Sequence, residues 1–284
     1  MYPNFQIRRM TSDLLELALD WAAAEGWNPG IHDAQCFFRA DPEGFFMGFL
    51  GDEPVGSISA VSYNGRFGFI GLYIVKAEHR GKGYGLKLWH QAVEHLANQT
   101  MGLDGVVERQ SSYARSGFVT SHRNIRFEWL TAAMGPSTLD PHIIALRDVS
   151  LIELTAYDSC LFPEPRGDFL SVWVDQPGSV GFGYRGDQGE FVGYALARPC
   201  RRGYKLGPLF GDSPRIAEAL LNAVRREIGD APVYLDIPEP NSAGLALAQK
   251  YGMTPVFETA RMYTRPAPAL PLERIFGITT FELG

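Results

Sequence analysis

The sequence predicts a protein of the α/β class (α+β type), built from two domains that each hold a central mixed β-sheet flanked by helices. Three observations support this prediction. The chain has 284 residues, which corresponds to about two domains at roughly 150 residues per domain. Short apolar runs typical of strands alternate with runs of helical periodicity. The same order of predicted elements occurs in both halves, as expected for a duplicated fold.

The first predicted domain covers residues 1–133, in the order strand, two helices, three strands, helix and two strands. Thr11, Ser12 and Asp13 offer N-cap oxygens for a first helix whose apolar residues recur at helical spacing. An Asn-Gly pair at 64 and 65 stands between two apolar runs, which is a strong signal for a β-hairpin. The predicted strands are 5–9, 45–50, 55–63, 67–75, 105–108 and 118–130, and predicted helices follow residues 13, 32 and 85.

A linker at 134–141 is expected between the domains, because residues 131–141 lose the periodicity and hold two prolines and a glycine. The second predicted domain, residues 142–284, repeats the order of elements. Ser213 is a candidate N-cap, and Pro214 suits the first position of the helix that follows. The predicted strands are 142–146, 179–184, 190–199, 205–210, 233–237, 256–263 and 276–282, and the predicted helices are 150–157, 169–174, 214–228 and 241–251.

Charge and hydropathy argue against two classes of partner. The chain has 26 Lys and Arg against 32 Asp and Glu, a net charge of −6. A mildly acidic chain lacks the clustered positive charge that nucleic acids or anionic membrane surfaces attract. The longest clean apolar run, residues 67–75, is far shorter than the roughly 20 residues of a membrane-spanning helix.

Leader and metal signatures are also missing from the sequence. The first ten residues, MYPNFQIRRM, contain no apolar signal core. The three cysteines are far apart and odd in number, which fits a reducing compartment better than a disulfide framework. No CxxC or HExxH pattern occurs, so no metal is expected. We therefore expect a cytoplasmic protein, and the sequence leaves its oligomeric state open.

The most informative motif is the glycine-rich segment from Arg80 to Gly85, RGKGYG, which stands between a buried strand and an amphipathic helix. Glycines let a backbone approach a ligand closely and turn its N–H groups toward one point. The positive end of the helix dipole adds to this, so the segment predicts a phosphate or pyrophosphate site. The Walker pattern is absent, and the dinucleotide pattern GxGxxG fails because Leu86 stands at the third glycine.

The pattern that fits, [R/Q]xxGx[G/A] after a strand, resembles the GNAT N-acetyltransferase superfamily. In that family this loop holds the pyrophosphate of acetyl-coenzyme A (acetyl-CoA), so the resemblance implies acetyl-CoA as co-substrate. It further implies that main-chain groups at the end of the strand pair with the pantetheine arm, and that one N–H polarises the thioester carbonyl. The implied cofactor-binding residues are Ile74, Val75, Arg80, Gly81, Lys82, Gly83, Tyr84 and Gly85.

A second element of the same resemblance is Tyr113, followed by Gly117 and Phe118, which matches the YxxxGF pattern of the family. The resemblance implies that Tyr113 is the general acid that protonates the leaving CoA thiolate. A phenol suits this role, because its usual pKa near 10 keeps it protonated at neutral pH. The family's usual Asn is missing, since Val106 stands there, and the helix between the last two strands is expected to be short.

The second half departs from the family at the points that carry chemistry. It has no Arg- or Gln-led glycine loop, and Asp212 would repel a phosphate. Ala248 stands where the acid would be, although Asn241 and Tyr251-Gly252-Met253 keep the family pattern. The chain is therefore similar to a bacterial subgroup of tandem GNAT proteins with a degenerate C-terminal domain and an active N-terminal one.

Acetylation of an amine requires a group that removes a proton from the nitrogen. The strand before the glycine loop carries no carboxylate. The base candidates are Glu25, Asp33 and Glu108, or a water held by Tyr63. In the family the segment between the first two helices lines the acceptor site, which places Glu25, Trp27, His32 and Asp33 there. Tyr63 is a further predicted substrate residue. Carboxylates and a Trp suit a cationic amine, although Glu25 and Asp33 also fit a solvated helix end and a cap.

The function predicted from these features is acetyl-CoA-dependent N-acetylation of a primary amine, by direct transfer and with a small-molecule acceptor. The alternatives are a non-catalytic acyl-CoA-binding sensor and a protein-interaction module, and the sequence does not size the acyl group. The sequence leaves the interpretation of one basic cluster open. It fits a solvated hairpin, and it also fits a pocket for an acidic ligand or an edge of the acceptor site. Its members are Arg198, Arg201, Arg202 and Lys205, around Cys200.

Overall fold

A computed structural model describes residues 4–130 and 140–284. The predicted linker lies almost wholly outside these residues, so the domain boundary at 134–141 stays a prediction. The first half contains β1 (Phe5–Arg9), α1 (Ser12–Ala24), α2 (Asp33–Ala40), β2 (Phe45–Leu50), β3 (Glu53–Tyr63), β4 (Phe67–Val75), α3 (Tyr84–His95), β5 (Thr100–Val106), α4 (Gln110–Arg115) and β6 (Val119–Trp129).

The second half repeats this order and adds one short strand. It contains β7 (Ile143–Ala145), α5 (Leu151–Asp158), α6 (Gly167–Trp173), β8 (Val180–Arg185), β9 (Phe191–Pro199), β10 (Tyr204–Gly211), α7 (Pro214–Ile228), β11 (Val233–Pro238), α8 (Ser242–Lys250), β12 (Thr254–Tyr263) and β13 (Ile275–Gly277). The predicted α/β class with a mixed sheet in each half, flanked by helices, is confirmed.

The sheets of the two halves form one continuous sheet, because the halves exchange their last strands. The order is β1-β2-β3-β4-β5-β12-β6-β11-β10-β9-β8-β7, with β13 beside β10. Strand β12 of the second half pairs with β5 of the first, and β6 of the first half pairs with β11 of the second. Each half therefore completes the sheet of the other, which sequence periodicity did not indicate.

Local chemistry explains where several helices begin. The side chain of Thr11 accepts a hydrogen bond from the N–H of Leu14 at the start of α1, and Ser213 accepts one from Ile216 at the start of α7. Each bond satisfies a backbone donor that lacks a helical partner. At the hairpin between β3 and β4, Asn64 and Gly65 both have positive φ, as an Asn-Gly turn requires. These predicted starts and turns are confirmed.

Two predicted strands differ from the structure. The strand predicted at 105–108 begins at Thr100 and ends at Val106, and residues 107–109 form a 3-10 turn. Gly102 and Gly105 interrupt the apolar pattern of this strand because they pack under aromatic rings. The strand predicted at 276–282 is regular only over Ile275–Gly277, because the following residues cross between the two halves.

The core is shared on one face of the sheet and divided on the other. On one face, α1, α2, α5 and α6 cover a single apolar cluster that draws residues from both halves. On the other face, α3 covers a cluster of the first half, and α7 and α8 cover one of the second half. None of the helices among the described residues combines the length and apolar character needed to cross a membrane.

Candidate active site

The site begins where β4 and β5 separate. These parallel strands pair only from Phe67 with Thr100 to Ile70 with Leu103. Just beyond, Leu72 has a positive φ of 45° and the pairing of β3 with β4 shifts register. The hydroxyl of Ser57 donates a hydrogen bond of 2.8 Å to the Leu72 carbonyl and holds this distortion. The two strands then border a cavity of about 630 Å³.

The cavity passes through the sheet and has a different lining on each face. On the α3 face it is lined by Tyr73 and Tyr113, whose rings pack against Trp89 at 5.8 and 5.4 Å between ring centroids. On the α1 face it is lined by Trp27 and Phe281, which pack against the shared core. A molecule in the cavity would therefore reach both sides of the sheet.

The glycine-rich loop lies at the α3 end of the cavity. Every loop residue from Arg80 to Gly85 lines the cavity except Lys82, whose ammonium donates to the Glu78 carbonyl at 2.8 Å. Gly81 and Gly83 have φ of 77° and 82°, a left-handed conformation that favours glycine. Because Gly83 caps α3 without a side-chain hydrogen bond, the first N–H groups of this helix stay available for an anion.

Arg80 has partners within the protein as well as a place in the cavity wall. Its Nε donates to the carbonyl of Val75 at 2.7 Å, which ties the loop to the end of β4. Its guanidinium also pairs with the carboxylate of Glu25. Glu25 lines the cavity, but its charge is offset by this neighbour.

Tyr113 lies on α4, is partly buried against the cluster under α3, and lines the cavity. Burial raises the pKa of Tyr113 to about 12, so the phenol remains protonated well above neutral pH. Its carbonyl accepts a hydrogen bond from the N–H of Phe118, and the carbonyl of Ala248 accepts the same bond from Met253. Ala248 therefore occupies in the second half the place that Tyr113 occupies in the first.

Three predicted acceptor residues lie outside the cavity. Asp33 is fully buried and binds Arg198 at 2.7 and 3.3 Å and the N–H of Gly30 at 2.8 Å. It therefore cannot meet a substrate, and it joins α2 to β9. His32 precedes α2 and is not among the cavity residues.

Tyr63, the third of these residues, is almost fully buried and does not line the cavity. Its hydroxyl donates to the carbonyl of Leu283 at 3.0 Å. This bond positions the chain next to Glu282, which does line the cavity. Of the predicted base candidates, Glu25 and Glu108 remain at the cavity, and Glu108 is exposed.

Sequence reasoning missed the part of the wall that the second half contributes. Phe257 and Thr259 of β12, and Phe281 and Glu282 of the segment after β13, all line the cavity. Asp104 of β5 lines it too, bound to Arg261 of β12. No local signal in the sequence marks these residues, because only the strand exchange brings β12 beside β5.

The basic cluster around Cys200 is a junction between elements. Arg198 pairs with Asp33, Arg201 with Asp20 at 2.5 Å, Arg202 with Glu128 at 3.2 Å, and Lys205 with Glu282 at 3.7 Å. Every cation of the cluster thus has a carboxylate partner. Arg201 and Arg202 are exposed, as expected for a solvated hairpin, whereas Arg198 and Lys205 are buried. The partner of Lys205, Glu282, lines the cavity, so this part of the cluster lies at the edge of the candidate site.

Neither buried cysteine has the setting of a nucleophile. Burial raises the pKa of the Cys36 thiol to about 12 and also raises the pKa of Cys200. A raised pKa removes the thiolate that covalent catalysis requires. Covalent catalysis by Cys36 or Cys200 is therefore disfavoured.

In the second half, the corresponding gap between β10 and β11 is filled by the chain itself. These strands pair only from Tyr204 with Val233 to Leu206 with Leu235. Strand β13 then pairs with β10, and the N–H of Ile278 donates to the Asp236 carbonyl of β11 at 2.9 Å. The first residues of the segment 275–284, here called the tail, therefore occupy this gap.

The tail continues from the second half to the cavity of the first. A Cβ on Gly207 of β10 would lie 2.4 Å from the carbonyl oxygen of Thr279, and a Cβ on Gly71 of β4 would lie 2.1 Å from that of Glu282. Both glycines thus let the tail pass close to the strands. This path places Phe281 and Glu282 at the cavity.

Comparison with known proteins agrees with this architecture. A model of the acetyltransferase (GNAT) family matches residues 10–118, and a model of an acetyltransferase (GNAT) domain matches residues 154–277. The holothin acyltransferase of Pseudoalteromonas sp. (strain SANK 73390) is 30% identical over 270 residues, which cover 95% of this chain and 91% of that protein.

Solved structures share the fold at lower identity. A putative acetyltransferase from Pyrococcus horikoshii has a TM-score of 0.83 at 23% identity, covering 100% of this chain and 97% of that one. A tandem GNAT protein from the clavulanic acid biosynthesis pathway has a TM-score of 0.64 at 14% identity, covering 93% and 100%. Proteins of the family generally use acyl-CoA. The chain belongs to the GNAT acetyltransferase family and is an acyltransferase with two GNAT domains.

Proposed function

We propose that the first half transfers an acetyl group from acetyl-CoA directly to the primary amine of a small molecule. The observation that carries this proposal is the open gap between β4 and β5, which begins at the glycine-rich loop and reaches the opposite face of the sheet. A pantetheine arm fits such a gap as an additional strand. Acetyl-CoA is the co-substrate in this proposal, and no metal takes part.

The roles of the cofactor residues follow from their placement. The N–H groups at the start of α3, with Gly81 and Gly83, would bind the pyrophosphate. The main chain of Ile74 and Val75 would pair with the pantetheine arm, since β4 pairs there with β3 but has no partner on the side that faces β5. One of these N–H groups would polarise the thioester carbonyl, a contact that stabilises the oxyanion as it develops.

Tyr113 would act as the general acid for the CoA thiolate. Its raised pKa favours a protonated phenol, which is the form that an acid needs. The neutral amine nitrogen attacks the thioester carbon, so that an N–C bond forms and the C–S bond breaks. The sulfur leaves with the bonding electron pair and receives the phenol proton, and the proton that the nitrogen gives up restores the phenol.

A small-molecule acceptor is favoured by the enclosure of the far end. Phe257, Thr259 and Phe281 from the second half close the wall there, so a protein lysine would need a longer reach than a free amine. The relative that is 30% identical is named for acyl transfer to holothin. The acceptor of this chain is proposed to be of the same broad class, and no nucleic acid or membrane partner is proposed.

Calorimetric titration with acetyl-CoA tests the cofactor half of this proposal. We expect the wild type to bind with a micromolar dissociation constant, about −8 kcal/mol. In Gly83→Asp the added carboxylate would oppose the pyrophosphate, and we expect affinity to fall at least about 100-fold. Gly189→Asp is the matched control, because Gly189 also has a positive φ, 86°, and nothing within 4 Å of a Cβ.

The outcomes separate the candidate functions. Loss of binding in Gly83→Asp but not in Gly189→Asp supports the loop as the cofactor site. Binding by the wild type without acetylation of any amine would favour an acyl-CoA sensor. No binding by the wild type would contradict the proposed function.

A further inference from the structure

The tail brings one buried carboxylate from the second half to the cavity of the first. Glu282 lines the cavity, although its side chain is only 3% exposed. Its main-chain oxygen lies so close to Gly71 that a Cβ there would be 2.1 Å away. Gly71 directly follows Ile70, the last residue of β4 that pairs with β5. Glu282 is therefore held at the point where the two strands separate.

The carboxylate of Glu282 has an incomplete set of partners. Its cationic partner is Lys205 of β10, whose ammonium lies 3.7 Å away, beyond the usual hydrogen-bond distance. Within the described ranges, no group donates a hydrogen bond to Oε2 of Glu282, and Nζ of Lys205 has no hydrogen-bond acceptor. Buried polar atoms are nearly always hydrogen-bonded, so this pair lacks the contacts expected of a purely structural ion pair.

Two neighbouring buried ion pairs are complete by comparison. Asp236 binds Arg126 at 2.7 and 2.8 Å, and Asp33 binds Arg198 at 2.7 and 3.3 Å. Both guanidinium groups also attract the charge of Glu282, but each is already bound to its own carboxylate. Of these three buried carboxylates, Glu282 therefore keeps the most capacity to accept a further hydrogen bond.

The other carboxylates that line the cavity are less suited to receive a proton from a substrate. Asp104 and Glu25 each bind an arginine. Glu108 has no cation partner among the residues that the structure describes, but it is exposed on the 3-10 turn after β5. An exposed carboxylate attracts an ammonium only weakly, because water screens the charge. A buried one attracts it more strongly.

We propose that Glu282 is the general base of the reaction and that the acceptor is a primary alkylamine, which binds as an ammonium ion. The inference rests on the proposed N-acetyltransferase function and specifies its base and its acceptor class. The carboxylate accepts a hydrogen bond from the ammonium. The rings of Trp27, Phe257 and Phe281, which line the same cavity, contact the rest of the acceptor. The second half thereby supplies a group that touches the reacting nitrogen.

The protons balance with one base and one acid. The ammonium gives one proton to Glu282 and becomes a neutral amine. Its nitrogen attacks the thioester carbon, an N–C bond forms and the C–S bond breaks. Tyr113 gives its proton to the sulfur and is restored by the second proton of the nitrogen. The products are a neutral amide, CoA thiol and a protonated Glu282, which returns its proton to solvent when the products leave.

A pair of acceptors with the same carbon skeleton tests this role. In 2,2-difluoro-2-phenylethylamine the fluorines withdraw electrons and lower the pKa of the ammonium, so much more of this amine is neutral at pH 7 than of 2-phenylethylamine. Glu282→Gln keeps the size of the side chain and removes the base. We expect kcat/KM of this variant at pH 7 to fall at least about 100-fold for 2-phenylethylamine and less than about 5-fold for the fluorinated amine.

The comparison remains valid if the variant is less stable. Both amines are measured on one preparation, so a loss of folded protein lowers both rates equally. The double variant Glu282→Gln with Lys205→Met leaves no unpaired charge at this position and should show the same selective loss. The dissociation constant of acetyl-CoA should stay at the wild-type value in both variants.

Glu153→Gln is the matched control. Glu153 also pairs with a cation, Arg185, but it lies on α5 and is not among the cavity residues. We expect its kinetic constants for both amines to equal those of the wild type.

The outcomes distinguish this inference from the function on which it rests. An equal fall for the two amines would make Glu282 a structural residue and overturn the inference, as would a selective fall in Glu108→Gln instead. Failure of the wild type to acetylate either amine, despite acetyl-CoA binding, would overturn it and leave the cofactor site standing. No acetyl-CoA binding by the wild type would overturn the proposed function itself.

Discussion

Each half of the molecule contains a gap where its central pair of parallel strands separates, and the two gaps have different contents. In the first half, β4 and β5 separate after Ile70 and Leu103 and leave a cavity. In the second half, β10 and β11 separate after Leu206 and Leu235, and β13 fills the space. The same fold position is thus open in one half and closed in the other.

The comparison shows how the same position of a duplicated domain can stay open or be filled by the chain itself. A strand edge exposed by separation must find a partner, because unpaired backbone groups are costly when buried. In the second half the chain supplies that partner through β13. In the first half the edge of β4 stays open, so a ligand of strand-like shape, such as a pantetheine arm, is proposed to supply it.

The loops at the start of α3 and of α7, which lie beside the two gaps, also differ in their ability to bind a phosphate. In the first half the loop at the start of α3 offers Gly81, Gly83 and free N–H groups. In the second half Asp212 stands before α7, bound by Arg274 and by the hydroxyl of Tyr157 at 2.8 Å. A carboxylate at that position repels a phosphate, so the filled gap and the altered loop are consistent with each other.

The largest expected effect comes from weakening the strand that fills the second gap. Phe276 of β13 is fully buried in the cluster of the second half. Phe276→Ala should lower the free energy of unfolding by about 3–5 kcal/mol, because it leaves a cavity in a packed core. Chemical denaturation followed by fluorescence measures this change.

The exposed Val256 provides the control for that experiment. Val256→Ala on strand β12 should change the free energy of unfolding by no more than about 0.5 kcal/mol, because this side chain is exposed. If Phe276→Ala were as stable as this control, β13 would not be a structural part of the second half, and the contrast between the gaps would fail.

The next largest effect is expected from removing the hydroxyl of Tyr113. Tyr113→Phe should lower kcat about 100-fold or more, because the leaving thiolate loses its acid. The dissociation constant of acetyl-CoA should stay unchanged, since the ring remains in place. Steady-state kinetics and calorimetry on the same preparations separate the two quantities.

The pH profile sharpens the same prediction. Burial raises the pKa of Tyr113 to about 12, so the acid form persists as pH rises and is lost only when pH approaches that value. The rate of the wild type should therefore show no decline that depends on Tyr113 between pH 7 and about pH 10. A decline in this range that Tyr113→Phe removes would show that the phenol ionises earlier and that its burial is incomplete.

The smallest effect is expected from a substitution that displaces the tail where it passes from the filled gap of the second half to the cavity of the first. A Cβ on Gly71 would lie 2.1 Å from the main-chain oxygen of Glu282, so Gly71→Ala must displace the tail. We expect a loss of about 1–3 kcal/mol in the free energy of unfolding, typical of overpacking. The KM for the amine should rise because Phe281 moves with the tail.

A glycine in an ordinary setting provides the comparison. A Cβ on Gly167 would lie 3.4 Å from Thr155 Oγ1, an ordinary contact, so Gly167→Ala should leave both quantities close to those of the wild type. Equal stability and equal KM in Gly71→Ala and Gly167→Ala would contradict the close passage of the tail over β4.

Sequence patterns were sufficient for the elements whose signals are local. Three such features lie where they were predicted, and each depends only on adjacent residues. They are the helix cap at Thr11, the Asn-Gly turn at 64 and 65, and the strand, glycine loop and helix around Gly83. The position of Tyr113 at the cavity also follows from a short motif. Such features are readable because a few adjacent residues determine them.

The acceptor end of the candidate site was not readable in this way. Asp33 has the residue type of an acceptor contact, but its buried pairing with Arg198 depends on a residue of the other half. Phe257 and Phe281 are of a residue type that is common in any hydrophobic core, and nothing near them in the sequence indicates a cavity. Their role depends on strand partners that lie far away in the chain.

By itself, the sequence determined the repeated order of strands and helices, the glycine loop and the family to which the chain belongs. The tertiary structure alone decided that the halves exchange β6 and β12 and that the tail fills one gap and lines the other. The physical reason is that local periodicity determines which residues form a strand and which face is apolar. The choice of partner strand depends on packing and backbone pairing over the whole sheet.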